Sequence, residues 1–525
     1  MSLSIYLINP SGNVPGYYGV EFLEKLGLPP AVLVADLATT TVAAMIPNDF
    51  EISICEEALS PADLDIDADF IAITGKSTQV NRMVELGDEY RRRGKVVVMG
   101  GPFVSLSQDT LRPYADVLVF GELEEIADEV FGDLRNGTYK AEYQGTKPDI
   151  TTSPIPRWDL YPNASAMCGC VQTSRGCPFE CEFCDVIQYV GRKQRHKSNE
   201  QVLAELDVLY RHGYRSAFLA DDNFTVYRKR TRSLLTALHE WNLRQQHGHL
   251  TFNTQVSIDI AKDTDILEQC ADAGVNEVFI GIETPNEASL KETHKNQNMN
   301  VDLQQQVGCF LEQGISVTAG LIVGFDADGP DIFEQQRDFA MASAIPLFTL
   351  GALMAPISTP LYDRMKEENR LIPESETGAS MHPWISNIVP AQMTTEDMRV
   401  GMKWLINQIY HPRNFGTRLL KLIQDLQFRS ESAYYSSVRN SHHMAGVTMT
   451  AMRAMRKLSR MGIDEAAMVK QTMDAVQNKP ESRTHVMKAI FQYLQTRHLC
   501  EDSGIWNPSL ADQPTPQLQQ FGKAA

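Results

Sequence analysis

A chain of 525 residues, 43% of them hydrophobic, is long enough for roughly two to four domains with real cores. Its formal charge of −18 excludes a nucleic-acid backbone as a general partner, because gripping phosphates needs clustered Lys and Arg. The opening MSLSIYLINPSG passes straight into strand-like alternation with no basic segment before a long apolar one, and no window is long and apolar enough to cross a bilayer. Nine cysteines, an odd number and mostly scattered, do not read as a disulfide framework, so a reducing, cytoplasmic location is expected.

Residues 1–138 alternate short Val- and Ile-rich runs, at 4–9, 50–55, 70–74, 95–99 and 117–120, with helix-like segments such as 31–45 and 80–93. That alternation predicts a parallel sheet with helices on both faces, a Rossmann-like domain. Ligands of such sheets sit at the strands' carboxyl ends, which here carry Asn9, the turn Gly100-Gly101-Pro102 and the turn Gly121-Glu122. Glycine there lets backbone approach a bulky ligand, although most such turns only close a βα unit. Residues 139–165 hold four prolines and little periodicity and read as a linker.

Residues 166–360 show strand patterns at 171–174, 216–220, 251–255, 277–282, 317–323 and 348–354, separated by helical stretches such as 199–212, 230–243, 264–273 and 303–313. Ser198 with Gln201 reads as a capping box ahead of the stripe Val202, Leu206 and Leu209. Active residues of barrel-like βα repeats belong at strand C-terminal ends. Those ends are polar: Asp221, Asp222 and Asn223; Gln255 with Ser257 beyond it; and Glu283. The basic run 191–197, GRKQRHK, reads as a solvated face, a role in holding a carboxylate being the alternative. Residues 361–506 are helical, with Thr394 and Asp397 as an N-cap signature, and 507–525 form a loose tail. The stretch 393–487 holds 11 of the 21 methionines, most of them core, with a minority suited to lining a pocket for an apolar substrate.

The sharpest feature is Cys177, Cys181 and Cys184, a C-x3-C-x2-C array just after an apolar run. A closed structural zinc site takes four ligands, whereas three thiolates leave one metal position open for chemistry. A zinc knuckle or buried small hydrophobes is the bland alternative. Cys168 and Cys170 read as small residues of the strand entering the barrel.

With Phe183 before the last cysteine and the words Thr-Ser-Arg-Gly-Cys-Pro and Phe-Cys-Asp around it, the array resembles the cluster loop of the radical S-adenosylmethionine (SAM) superfamily. The resemblance implies a 4Fe-4S cluster on the three cysteines, SAM on the fourth iron, and a partial (β/α)6 barrel. It implies SAM contacts from Phe183, from Asp221, Asp222 and Asn223 in place of the family's Gly-Gly-Glu word, and from Gln255, Ser257 and Glu283. The order GGPF then GELEE resembles the cobalamin-binding domain that precedes many such barrels, implying cobalamin contacts from Asn9, Gly100, Gly101, Pro102, Gly121 and Glu122. The Asp-x-His-x-x-Gly word of many such domains is absent, and the first histidine is His196. Cobalamin without a histidine lower ligand is therefore expected, a domain that binds none being the other reading.

The order of α/β domain, radical SAM barrel and helical C-terminal domain resembles the hopanoid C2-methyltransferase subgroup, a layout shared with bacteriochlorophyll-pathway methylases and the anaerobic protoporphyrin ester cyclase. It implies an enzyme that methylates an unactivated carbon of an isoprenoid, hopanoid or tetrapyrrole-like substrate. An electron donor such as flavodoxin or ferredoxin, and peripheral membrane contact, are implied partners. The alternatives are a radical enzyme that forms, cyclises or rearranges carbon–carbon bonds with or without cobalamin, and a non-catalytic metal-binding scaffold.

Overall fold

The computed structural model describes residues 3–372, 382–428 and 442–518, the side chains of 442–448 excepted. Seven strands precede the barrel: β1 (Leu3–Asn9), β2 (Val32–Val34), β3 (Phe50–Glu56), β4 (Phe70–Thr74), β5 (Val96–Gly100), β6 (Val117–Phe120) and β7 (Glu142–Gln144). Six of them form one parallel sheet in the order β3-β1-β4-β5-β6-β7, with the helices Leu37–Met45, Val80–Arg92 and Ala127–Asn136 packed on it. The expected Rossmann-like domain is present. Its sixth strand, β7, falls inside the stretch expected as a linker, because buried Tyr143 anchors it beside β6 and gives its hydroxyl to Asp133 at 2.9 Å.

β2 is a second departure, since residues 31–45 had the look of one helix. The β-branched Val-Leu-Val run extends, and Asp36 caps the helix only at Leu37 by accepting from the Thr39 N–H at 2.7 Å. The freed strand joins the barrel, pairing Val32 with Ala166 and Val34 with Cys168.

The barrel strands are β8 (Ala166–Val171), β11 (Ser216–Leu219), β12 (Thr251–Val256), β13 (Val275–Glu283), β14 (Ser316–Val323) and β15 (Phe348–Ala352), with a small antiparallel pair, β9 (Ser174–Arg175) and β10 (Arg195–His196), between the first two. They form a curled parallel sheet, β15-β14-β13-β12-β11-β8-β2, the six expected strands plus the one lent by the N-terminal domain. The first strand lies at 166–171 rather than 171–174: Cys168 and Cys170 sit buried within it, and Gly169 leaves room for Leu209, against which a Cβ would press to 2.9 Å. Along β13 the alternation is clean. Val278, Ile280 and Ile282 are buried in the core, while Glu277 and Phe279 line the lumen. Ser198 accepts from the Gln201 N–H as expected, but the Gln201 amide turns away to Ser153 O at 2.8 Å, leaving half a capping box.

The C-terminal helices Thr395–Tyr410, Pro412–Asp425, His442–Leu458, Ile463–Asn478 and Arg483–Asp502 follow the barrel, and the last of them meets the N-terminal ends of its strands. His485 meets Ser316 Oγ at 3.1 Å, and Lys488 donates to Asn276 Oδ1 at 3.2 Å. The capping box of Thr394 and Asp397 is present. The segment from Asn507 is less loose than expected, because Gln513 O accepts from Trp404 Nε1 at 3.1 Å and Asn507 N–H donates to Asn407 at 2.7 Å; residues 519–525 lie outside the described residues. Among the described residues no helix is long and apolar enough to cross a membrane.

Arg418 fastens this domain to the barrel. It is fully buried, donates to the carbonyls of Ile345 (3.1 Å), Ile409 (2.8 Å) and Pro346 (3.2 Å), and lies near the rings of Phe348 and Phe415. Burial pushes its guanidinium down to about 10, a sign of a cation held by dipoles rather than by a carboxylate. Arg418→Ala would leave buried carbonyls unpaired, so a loss of about 3 kcal/mol in unfolding free energy is expected, read as a lowered chemical-denaturation midpoint. An unchanged midpoint would contradict this role.

Candidate functional site

The cysteine loop leaves the barrel beyond β8. Gly176 takes a φ of 107°, open to glycine, and donates its N–H to the Asp222 carboxylate at 2.8 Å. Cys177 N–H donates to Gly191 O at 3.2 Å, Glu182 N–H to Thr293 O at 3.2 Å, and Cys184 N–H to Cys181 O at 3.1 Å. Arg364 grips the Glu182 carboxylate through Nε (2.6 Å) and Nη2 (3.0 Å). The loop backbone is thus pinned on three sides while its thiols stay unbonded to one another.

Burial pushes the Cys184 thiol up to about 12, with added repulsion from Asp185, Cys181 and Cys177, and burial raises Cys177 as well. Crowded thiols of this kind become thiolates only against a strongly positive centre. Among the described residues no three His, Cys, Asp or Glu side chains converge on one point as a single metal ion requires. A four-iron cluster makes no such demand, because each thiolate takes its own iron.

At the end of β11 the three expected residues divide. Asp221 is buried and engaged: it accepts from the Thr173 N–H (2.7 Å) and Ser174 N–H (2.9 Å) and from both hydroxyls. Its carboxylate braces the loop entrance. Asp222, raised by burial to about 6, holds Gly176. Asn223 donates to Ser257 Oγ at 2.5 Å and, through its carbonyl, accepts from Gln194. Gln255 is half-buried on β12 and lines the lumen. Phe183 packs toward Phe325, ring centres 6.0 Å apart, in a small apolar cluster.

Glu283 ends β13 at a register shift with a φ of 64°, a strained position for a residue with a Cβ. Its carboxylate pairs with Lys295 at 2.8 Å. Burial works against the Lys295 charge, but Glu283 and the sulfurs of Cys181 and Cys184 outweigh it and raise its affinity for the proton. Sequence reasoning missed Lys295, which sits in the polar stretch KETHKNQN with no pattern to mark it. Gln297 beside it lies 3.8 Å from Cys181 Sγ. The amide oxygens of Gln297, Asn298 and Gln336, all near this strand end, are buried without partners. A charged pair and orphaned acceptors beside three thiols suit a polar, zwitterionic ligand.

Glu122, which stands on the cavity wall as expected of a strand-end residue, also joins the domains. Its buried carboxylate meets Arg175, two residues before Cys177, at 2.5 Å and Arg195 at 2.5 and 2.9 Å, while Glu124 takes Arg175 at 2.7 Å. The basic run 191–197 is a solvated face only in part: Arg192 and Lys193 are exposed, but Arg195 is in this clamp and Lys197 is buried against Glu205.

The remaining α/β positions line a cavity of about 1620 Å³, well beyond an ordinary ligand pocket of about 300–1,000 Å³. Asn9, Gly100, Gly101, Pro102 and Gly121 form its wall at the strand ends; Gly101 (φ 100°) and Gly121 (φ 72°) have no room for a Cβ, which would fall 2.7 Å from Thr74 Oγ1 and 2.8 Å from Gly145 O. Asn9 is itself held, donating to Glu56 and accepting from Gln79, both at 2.9 Å. The cavity continues into the barrel lumen past Gln255 and Phe279 and reaches Met452, Met455, Met473 and Met487 of the C-terminal helices. No histidine lines it among the described residues.

Residues 171–339 match the model of the radical SAM superfamily, and residues 359–501 match a domain of unknown function, DUF4070. An uncharacterised methyltransferase of Synechocystis sp. is 35% identical over 424 residues, 79% of this chain and 77% of that relative. The hopanoid C-2 methylase of Rhodopseudomonas palustris is 34% identical over 339 residues, 63% of this chain and 64% of its own length. Among solved structures, the cobalamin-dependent SAM radical enzyme OxsB covers 96% of this chain and 80% of its own with a TM-score of 0.59 at 16% identity, a likeness of fold. The chain belongs to the radical SAM superfamily. Within it, the chain is an enzyme of the branch that holds these methyltransferases.

Glu122→Gln removes the shared counter-charge of two largely buried arginines, so a loss of about 3 kcal/mol in unfolding free energy from chemical denaturation is expected; a wild-type value would show the clamp to be incidental. Glu56, on the cavity wall, is raised by burial to about 7 from an unfolded value of 4.5. Its ionisation therefore disfavours folding, with no effect below pH 4.5 and the full penalty above pH 7. Glu56→Gln should raise the melting temperature at pH 8 and leave it nearly unchanged at pH 4.5; equal shifts at both would refute the assignment.

Proposed function

We propose that this enzyme is a cobalamin-dependent radical SAM C-methyltransferase that methylates an unactivated carbon of a hydrophobic substrate of the isoprenoid, hopanoid or tetrapyrrole type. The observation that carries this reading is the single cavity whose walls are the α/β strand ends, the barrel lumen and the methionines of the C-terminal helices. Cys177, Cys181 and Cys184 would hold the 4Fe-4S cluster. Bound there, the cluster and SAM supply a radical able to take hydrogen from an unactivated carbon, and cobalamin supplies the methyl carrier.

The chain's own part is positioning. Lys295, beside the cluster loop, would meet the SAM carboxylate, and Glu283 its ammonium or ribose. Gln255, Ser257 and Asn223 offer amide and hydroxyl partners from the neighbouring strand ends, with Asp222 and Phe183 flanking them. Gly100, Gly101, Pro102 and Gly121 present backbone to the large ring system of cobalamin, with no imidazole to reach its metal. Phe218, Phe279 and the methionines keep water from the gap in which the substrate would lie. A flavodoxin or ferredoxin would supply the electron. That no histidine lines the cavity among the described residues keeps open, as a second reading, a cyclising or rearranging radical enzyme of the same superfamily.

Reconstituted anaerobically and given substrate and reductant, the chain should convert SAM to both 5′-deoxyadenosine and S-adenosylhomocysteine. Formation of 5′-deoxyadenosine alone would remove methyl transfer and leave the second reading. Cys177→Ala, Cys181→Ala and Cys184→Ala should each lose the bound iron and cut SAM cleavage by about 10³-fold or more; retained cleavage would remove both readings.

A further inference from the structure

Between Glu431 and Asp464 the chain carries no Asp or Glu, yet Arg439, Arg453, Arg456, Lys457 and Arg460 fall there, in a protein whose formal charge is −18. The helix His442–Leu458 spans most of that stretch and buries Ala451, Ala454, Met455 and Leu458. Its opposite side leaves Met449 and Met452 50% and 44% exposed, and the turn beyond leaves Met461 39% and Ile463 89% exposed. Arg453, Arg456, Lys457 and Arg460 are exposed among them and have no ion-pair partner among the described residues.

A single exposed methionine is ordinary, but apolar and cationic side chains alternating on one helix face, without an acid, are the pattern of a helix that lies in a lipid interface. With a net charge of −18 the protein as a whole is repelled by an anionic surface, so an approach to one has to be made through a cationic face such as this. The face also adjoins the cavity, because Met452 belongs to both the exposed surface and the cavity wall, beside Ala451 and Met455. An acidic electron carrier is the wrong occupant. Helix Arg483–Asp502 of this domain touches the N-terminal ends of the barrel strands, and the nine residues of β13 put the cluster loop roughly 26 Å away at the other end.

We propose that this face seats the protein on an anionic lipid bilayer. The seat opens the cavity toward the membrane, which is where an apolar substrate would be taken up; that last clause rests on the function proposed above, whereas the seating does not. The test is sedimentation of the full, anaerobically reconstituted chain with vesicles of phosphatidylglycerol and phosphatidylcholine, and with phosphatidylcholine alone. Binding is expected to the anionic vesicles and to fall about tenfold or more on neutral vesicles or in high salt. The variant Arg453→Ser, Arg456→Ser, Lys457→Ser, Arg460→Ser should lose binding to the same degree with SAM cleavage unchanged. Met449→Ser, Met461→Ser, Ile463→Ser should weaken binding while keeping its salt dependence. No wild-type binding to anionic vesicles, equal binding to neutral ones, or self-association through this face without vesicle binding would overturn the proposal. Those wild-type arms decide it even if a variant fails to fold.

Discussion

One carboxylate holds two domains in register. Glu122, at the glycine turn that closes β6, shares its charge between Arg175 and Arg195, so the ligand face of the α/β sheet cannot move without dragging the cysteine loop. Burying three charged groups is costly unless each is met by another, and here each is. β2 reinforces the constraint by threading the N-terminal chain into the barrel sheet beside β8. Chemistry that hands a group from one cofactor to a carbon activated by another needs this fixed gap more than it needs any single acid or base.

Within that frame, the residues nearest the loop separate into those that hold it and those left free to act. Asp221, Asp222, Glu182 and Arg364 are consumed by backbone and ion-pair contacts, and their cost is met inside the protein. Lys295 with Glu283, and the unpartnered amides of Gln297, Asn298 and Gln336, are satisfied only in part. Unfinished hydrogen bonding at a strained strand end is where a polar ligand gains most. The cavity wall is apolar by contrast, with thioethers that adapt their shape at small energetic cost.

Much of this was legible in the sequence because it is local. The short apolar runs of β1, β4, β6 and β13, the capped helix after Ser198 and the spacing of Cys177, Cys181 and Cys184 depend on neighbours a few residues apart. What escaped is long-range. β2 is too short to show a period and was absorbed into the helix that follows it; β7 has meaning only beside β6. The pairs of Glu122 with Arg175 and Arg195 span 53 and 73 residues, so no local pattern marks the ion pairs that join the domains. Lys295 owes its role to a strand end it meets only in the folded barrel.

Everything rests on a metal centre that three protein sulfurs leave incompletely ligated. Electron paramagnetic resonance of the reduced, reconstituted chain, with iron and sulfide analysis, is the direct test. The account predicts about four irons per chain in one cluster, with a spectrum that changes when SAM is added. Zinc in place of iron, or a cluster spectrum indifferent to SAM, would contradict it.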